Sequence, residues 1–418
     1  MITVEEASSL LEDAAERLES ETVPLDQALG RVLASSIPAD RDLPPTDRSA
    51  MDGFAVRAAD LPEPDRTLQV VGEVRAGQDP GSVTVGLGQA ARIMTGAIVP
   101  EGADTVVMVE LTAEDAAAGT VLIREAPEPG QHIRVRGEDV AAGETVLTPG
   151  RPIRPAEIAA LASVGAVEVP VFRRPTVHLL TTGDEVVEPD TVPRPHQVRN
   201  SNAAVLQAQL RELGLEGRYL GIAEDQAEPL QQKLRTGVNG DLFILTGGVS
   251  MGRYDLVASA LEKIGMDLLF HKVKIKPGKP ILAGKVGDCL VVGLPGNPVS
   301  AFTGFAVFLA PFLRRIGGWS RWRNLEAEAR LLEPLKARPG RVAFRLARAG
   351  LENGEMVVRP AKSRGSGDAT SLLRANAFAV TGGEPGGVPA GSRVRTVLWR
   401  DDFSNGAGHS ASGPESGS

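Results

Sequence analysis

The sequence predicts a multidomain chain in which a central α/β unit with a mostly parallel sheet lies between segments of short strands. Three observations carry this. The chain has 418 residues, too many for one ordinary core. Residues 175–318 alternate strand-like and helix-like patterns, as βαβ units do. Within them, three strand-length apolar runs each break into a glycine loop. Thr176–Thr182 leads to Gly183-Asp184-Glu185, Asp241–Thr246 to Gly247-Gly248-Val249-Ser250, and Cys289–Val292 to Gly293-Leu294-Pro295-Gly296-Asn297-Pro298. In an open parallel sheet such loops gather at the carboxyl ends of the strands, where ligands bind.

The elements follow in order. Thr3 is a plausible N-cap with Glu6 as its capping-box partner, and Ala7, Leu10, Leu11, Ala14 and Leu18 mark the apolar face of a first helix. Leu25–Leu33 suggests a second short helix, and Pro38, Pro44 and Pro45 read as a linker. From about Asp47 to Leu147 short β-like runs alternate with glycines, at Leu68–Val74, Ala91–Met94, Thr105–Leu111 and Thr120–Ile123. Helical patterning resumes at Pro155–Val164, with Pro155 suited to a helix start. In the α/β segment Asn202 is expected to cap a helix over Ala203–Leu213 that Gly214 ends. Residues 255–265 form another helix, and Val299–Ile316 is an apolar, buried one. Short strands return after Gly318 and run to Leu398, and the Gly/Ser-rich tail from Ser404 is expected to be disordered.

Composition narrows the function. A net charge of −8 and a pI near 5.4 argue against nucleic-acid or anionic-membrane partners. Any anion site must therefore be a local basic cluster. Cys289 is the only cysteine, which excludes an intrachain disulfide and a cysteine-rich zinc site, and its apolar strand marks it as core. No stretch reads as a membrane span and no signal peptide is apparent, so a cytoplasmic soluble protein is expected.

Four segments carry chemistry. In His271-Lys272-Val273-Lys274-Ile275-Lys276, the lysines would share one side of an extended run, and Pro277-Gly278 could turn Lys279 towards them. An anion would neutralise that crowd; a solvated edge strand explains it equally well. Gly247-Gly248 lets backbone N–H groups approach a phosphate. Asp184 and Glu185 at a strand end suit Mg²⁺ with phosphate, while Asp225 and Asp255 have rival roles as helix caps. The Pro295–Pro298 loop is stiff and poor in donors, which favours a ligand-shaping role.

Taken together, SAMDGFA, RIMTGAIVPEGADTVV, RGEDV, TTGDE, TGGVSMGRYD, KIKPGKP and GLPGNPVSA occur in an order that resembles the MoeA/gephyrin E-domain family, the molybdopterin molybdenumtransferases. The resemblance runs to about Trp399. It implies a discontinuous helical N-terminal domain (1–46 and 142–174), a β-rich insert (47–141), an α/β molybdopterin-binding domain (175–318), a small C-terminal β-barrel (319–403) and a disordered tail (404–418). It also implies a homodimer, a molybdopterin adenylyltransferase as upstream partner, and insertion of molybdenum from molybdate into adenylylated molybdopterin with release of AMP and use of Mg²⁺.

The residues that carry over as catalytic are Asp52, Thr95, Asp139, Glu185, Asp225, Asp255, Lys272 and Lys276. Those expected to bind substrate are Gly247, Gly248, Ser250, Lys279, Pro295, Asn297, Pro298, Arg345 and Ser366, with Arg348 a rival to Arg345. Glu185, Asp225 and Asp255 are the expected metal ligands. An adenylyltransferase, or a non-enzymatic scaffold of the same fold, are the competing functions.

Overall fold

The computed structural model describes residues 1–223, 227–248, 256–336, 340–382 and 386–400. The expected disordered tail, with Asp225, Ser250 and Asp255, lies outside the described residues.

The central sheet has six strands in the order Gly217–Ala223, Val177–Thr182, Leu242–Thr246, Cys289–Leu294, Leu282–Val286, Asp267–His271. The first four are joined by parallel pairings and the last two are antiparallel. From Val177–Thr182 the chain first adds a strand on one side, then crosses to add Leu242–Thr246 on the other. The topological switch therefore falls between these two strands, the position at which such sheets bind ligands. Helices cover both faces, and every residue of the three glycine-ended strands is buried. Burial pushes the Cys289 thiol up to about 12, in keeping with a core side chain.

The first helix, Val4–Asp13, has the expected capping box: Thr3 Oγ1 accepts from the Glu6 N–H at 3.1 Å and Glu6 accepts from the Thr3 N–H at 2.7 Å. Its buried side chains Val4, Ala7 and Leu11 join the largest core, shared with the α/β unit and the C-terminal strands. The rest of 1–46 and 142–174 combines short strands with the helix Pro155–Ser163. Strand Ser20–Pro24 pairs with Glu168–Phe172, Ile37–Pro38 pairs with Thr145–Leu147, and the helix Pro155–Ser163 packs beside them around Leu33, Ile153 and Leu161. The helix expected over Leu25–Leu33 shrinks to a single turn, Leu25–Gln27. Gly30 takes a φ of 75° there, which L-residues rarely adopt, and so ends the helical path.

The β-rich insert is a six-stranded sheet with a core on each face. Phe54 and Val56 enter one core and Ala55 the other, the period-2 alternation of a strand. Gly53 is required because a Cβ there would lie 1.9 Å from the Val107 carbonyl oxygen of the neighbouring strand.

In the C-terminal unit the strands Leu325–Leu331, Val342–Glu352, Glu355–Pro360, Ala377–Thr381 and Arg393–Leu398 close into a small barrel through the pairing of Val342–Glu352 with Ala377–Thr381. Ile275–Lys276, from the α/β unit, adds to this sheet parallel to Val342 and Ala343. The scarce aromatics concentrate at this seam. Phe302 meets Trp399 edge-on at 5.2 Å between centroids, and Phe344 meets Phe378 at 5.8 Å. The Phe302–Trp399 pair ties the α/β unit to the barrel, while the Phe344–Phe378 pair packs two barrel strands together.

The helical stretch Pro298–Ile316 is, by length and composition, apolar enough to cross a membrane, which corrects the expectation that none is. Within the fold 78% of its apolar window is buried, which accounts for its hydropathy as core.

Candidate active site

The site begins at the switch point. Gly247 has a φ of 85°, and a Cβ on it would stand 2.3 Å from the Thr182 carbonyl oxygen. Only glycine fits so tight an approach of two strand ends. Its N–H donates to the Leu294 carbonyl at 3.2 Å, and a Cβ on Gly296 would lie 3.8 Å from Gly247 Cα. The second and third glycine loops are therefore in contact. Gly248 also has positive φ, and Glu185 is exposed, its carboxylate turned back over Gly183. Among the described residues no group of three or more His, Cys, Asp or Glu could hold a metal. Glu185 suits the other mode of Mg²⁺ binding, in which one or two carboxylates share the ion with substrate oxygens.

Beside this loop, between the α/β unit and the barrel, lies a cleft of about 540 Å³. Six of the expected residues line it: Lys276, Lys279, Pro295, Asn297, Arg345 and Ser366. Each arrives by a different route. Lys276 sits on the short strand that joins the barrel, and Lys279 follows the turn at Gly278. Asn297 opens the helix Pro298–Gly304. Ser366 is tied to the same helix, its carbonyl accepting from the Val299 N–H at 3.1 Å. Arg345 projects from a barrel strand; its Nη2 donates to the Lys336 carbonyl at 3.2 Å. Its Nε is buried and has no hydrogen-bond partner among the described residues. A buried donor left unpaired is costly, and an anion in the cleft would satisfy it.

Arg348 does not line the cleft; it lies on the same strand as Arg345, three residues away and so on the other face, opposite Arg359 of the neighbouring strand. The geometry thus favours Arg345 over Arg348. Pro298 faces a neighbouring apolar pocket with Phe302 and Trp399.

Lys272 does not join the group. Its φ of 70° breaks the extended run, and its backbone is held by Ile281 and Ile2. The alternation nevertheless holds for Val273 and Ile275, which are buried while Lys274 is exposed.

Asp52 and Thr95 find each other within the insert: Asp52 Oδ1 accepts from the Thr95 N–H at 2.6 Å and from its hydroxyl at 2.9 Å. These bonds, the backbone one foremost, hold the Asp52 carboxyl below its ordinary value. Asp139 takes a two-pronged bond from Arg134 Nη2 at 2.6 Å, and Arg134 also pairs with Glu138. Neither acid lines the cleft.

Sequence reasoning missed three contributors. Lys336 and Arg341 also line the cleft, so its described lining carries five cationic residues and no acid. Neither lies in a recognisable motif; only the closing of the barrel brings them there. The third is Asn202. The cap of the helix Ser201–Glu212 is Asn200, whose side chain accepts from the Ala203 N–H. Asn202 instead is buried and donates to the Gly296 carbonyl at 2.8 Å, bracing the Pro295–Pro298 loop.

Comparison with known proteins finds a match for each of three successive parts of the chain. Residues 2–165 match the MoeA N-terminal region (domain I and II), 178–315 a probable molybdopterin binding domain, and 328–399 the MoeA C-terminal region (domain IV). A molybdopterin molybdenumtransferase of Bacillus subtilis is 36% identical over 92% of this chain and 91% of its own length. One of Haemophilus influenzae is 36% identical over 94% and 98%. The crystal structure of a molybdopterin biosynthesis MoeA protein from Pyrococcus horikoshii superposes with a TM-score of 0.82 at 31% identity, covering 96% of this chain and 100% of that one. With every domain matched in order, and relatives of this identity aligned over nearly their full length, the chain belongs to the MoeA family.

Proposed function

We propose that this chain inserts molybdenum from molybdate into adenylylated molybdopterin and releases AMP, a transferase step of molybdenum cofactor synthesis. The observation that carries the reading is the cleft whose described lining holds Lys276, Lys279, Lys336, Arg341 and Arg345 and no acid, in a chain of net charge −8. Such a local concentration of cations is costly unless an anion occupies it, and molybdate is a dianion. Lys276, Lys279 and Arg345 supply compensating charge and Ser366 a hydroxyl donor. The loop that Gly247 turns would bring the Gly248 backbone to a phosphate of the pterin substrate, the group that the family resemblance also assigns to Ser250. Pro295 and Asn297 shape the wall between the two subsites, with Pro298 behind them starting the helix that supports it. The dithiolene sulfurs of the substrate take the metal, so no nucleophilic side chain is needed.

Glu185, with Asp225 and Asp255, would hold Mg²⁺ against the adenylate. When bound, that ion stabilises charge as the phosphoanhydride breaks. Asp52, Thr95 and Asp139 reach the cleft from the insert of a second subunit in a homodimer, with a molybdopterin adenylyltransferase supplying the substrate.

The test follows AMP release from adenylylated molybdopterin by the purified protein with Mg²⁺. Release is expected to require molybdate and to yield metal-loaded pterin. Consumption of ATP without molybdate would instead mark an adenylyltransferase, and inactivity with retained folding a scaffold.

A further inference from the structure

Beneath the two loops of the proposed site runs a chain of hydrogen bonds that no step of that function uses. The Thr246 hydroxyl donates to Thr181 Oγ1 at 3.2 Å, and the Thr181 hydroxyl to Asn200 Oδ1 at 3.3 Å. Asn200 Nδ2 donates to the Tyr219 hydroxyl at 2.7 Å, which donates to Glu188 Oε1 at 2.8 Å. Asn200 Nδ2 also donates back to Thr181 Oγ1 at 3.1 Å, so the amide is doubly tied to Thr181 and the chain is continuous from Thr246 to the Glu188 carboxylate. Thr181, Asn200 and Thr246 are 3%, 2% and 2% exposed, so water cannot replace a lost partner. Burial, then the Glu188 bond, raises the Tyr219 phenol above its ordinary value, which keeps it a donor.

The two ends of the chain meet different loops. Thr246 directly precedes Gly247, and Glu188 lies just beyond Glu185. Asn200 closes the segment between, its N–H donating to the Val187 carbonyl at 2.8 Å, while the Val198 N–H donates to the Glu185 carbonyl at 2.8 Å.

We propose that Tyr219 and Glu188 are positioning residues: through Asn200 and Thr181 they lock the acid loop at Glu185 to the phosphate-facing glycines after Thr246, and so set affinity for the nucleotide end of the substrate while leaving the oxyanion cleft untouched. Neither side chain lines that cleft. The inference rests on the function proposed above, with adenylate and molybdate bound at separate subsites.

The experiment measures AMP and molybdate binding by calorimetry on the full chain, wild type against Tyr219→Phe and Glu188→Gln. Each variant is expected to weaken AMP binding about 3- to 10-fold, Tyr219→Phe by taking the hydroxyl out of the chain and Glu188→Gln by removing the charge that strengthens its last bond, with molybdate binding within twofold of wild type. Thr246→Val combined with Tyr219→Phe is expected to be less than additive, because both break one chain. AMP binding unchanged in both single variants overturns the proposal, as does an equal loss for both ligands, which a general loss of stability would cause. If Tyr219→Phe fails to fold, Glu188→Gln alone decides. Wild-type protein that binds neither ligand overturns the reading of the site itself, and this inference with it.

Discussion

Arg345 illustrates how the site divides labour within one side chain. One guanidinium nitrogen is spent on the Lys336 carbonyl, which fixes the fork, while the buried Nε has no hydrogen-bond partner among the described residues. A lysine keeps the charge but has neither the fork nor a second nitrogen to anchor it. Arg345→Lys is therefore expected to raise the molybdate KM roughly tenfold with the pterin KM little changed, as steady-state kinetics at saturating pterin will read. Asp52 makes a second residue-scale case. It is fully exposed, so its depressed carboxyl owes its shift to Thr95 rather than to burial, and to the Thr95 backbone more than its hydroxyl. Thr95→Val removes only the hydroxyl. The Asp52 titration, followed by carboxylate NMR, should move up towards the ordinary value of 3.8 without reaching it. The sign for stability follows: a depressed carboxyl helps the fold above its unfolded value, and the help is lost as pH falls through the folded one. Wild type should therefore lose this contribution at lower pH than Thr95→Val does.

At the scale of elements, the glycine loops depend on contacts that tolerate no side chain. Gly247→Ala places a methyl group 2.3 Å from the Thr182 carbonyl oxygen at a φ of 85°. The loop must move, and AMP binding should fall by more than tenfold while circular dichroism stays native. The first helix is anchored elsewhere than its place in the chain suggests. Leu11 is 3% exposed within the core shared by the α/β unit and the barrel. Leu11→Ala should cost about 2–5 kcal/mol, and hydrogen exchange should speed up in Ala310–Ile316 rather than in Pro155–Ser163. These cases show what was legible in the sequence. The three strand-to-glycine breaks, the Thr3 capping box and the alternation of Val273 and Ile275 are local patterns, and each appears where the residues dictate. Leu25–Leu33 failed as a helix because Gly30 uses its freedom to turn. The cap expected of Asn202 falls to Asn200 because capping and loop-bracing both suit asparagine, and only the approach of Gly296 separates them. Lys336 and Arg341 carry no local signal at all; the barrel's closure delivers them.

At the scale of the whole molecule, the expected acids fall into two groups. Glu185 belongs to the strand ends beside the cleft, whereas Asp52 belongs to the insert, where Thr95 holds it, and does not line the cleft. If a second subunit supplies Asp52, each working site contains Lys276 from one chain and Asp52 from the other. Two inactive variants, Asp52→Asn and Lys276→Ala, then complement each other. Co-expression and random pairing make half of the dimers mixed. Each mixed dimer has one site with both substitutions and one with neither, so activity should recover to about a quarter of wild type. Were Asp52 to act on its own chain's cleft, every site in a mixed dimer would carry one substitution, and activity would stay at the level of the separate variants. Purifying the mixed dimers through two different affinity tags raises the expected recovery to about half. The ratio of the two yields then separates a composite site from partial activity of either variant.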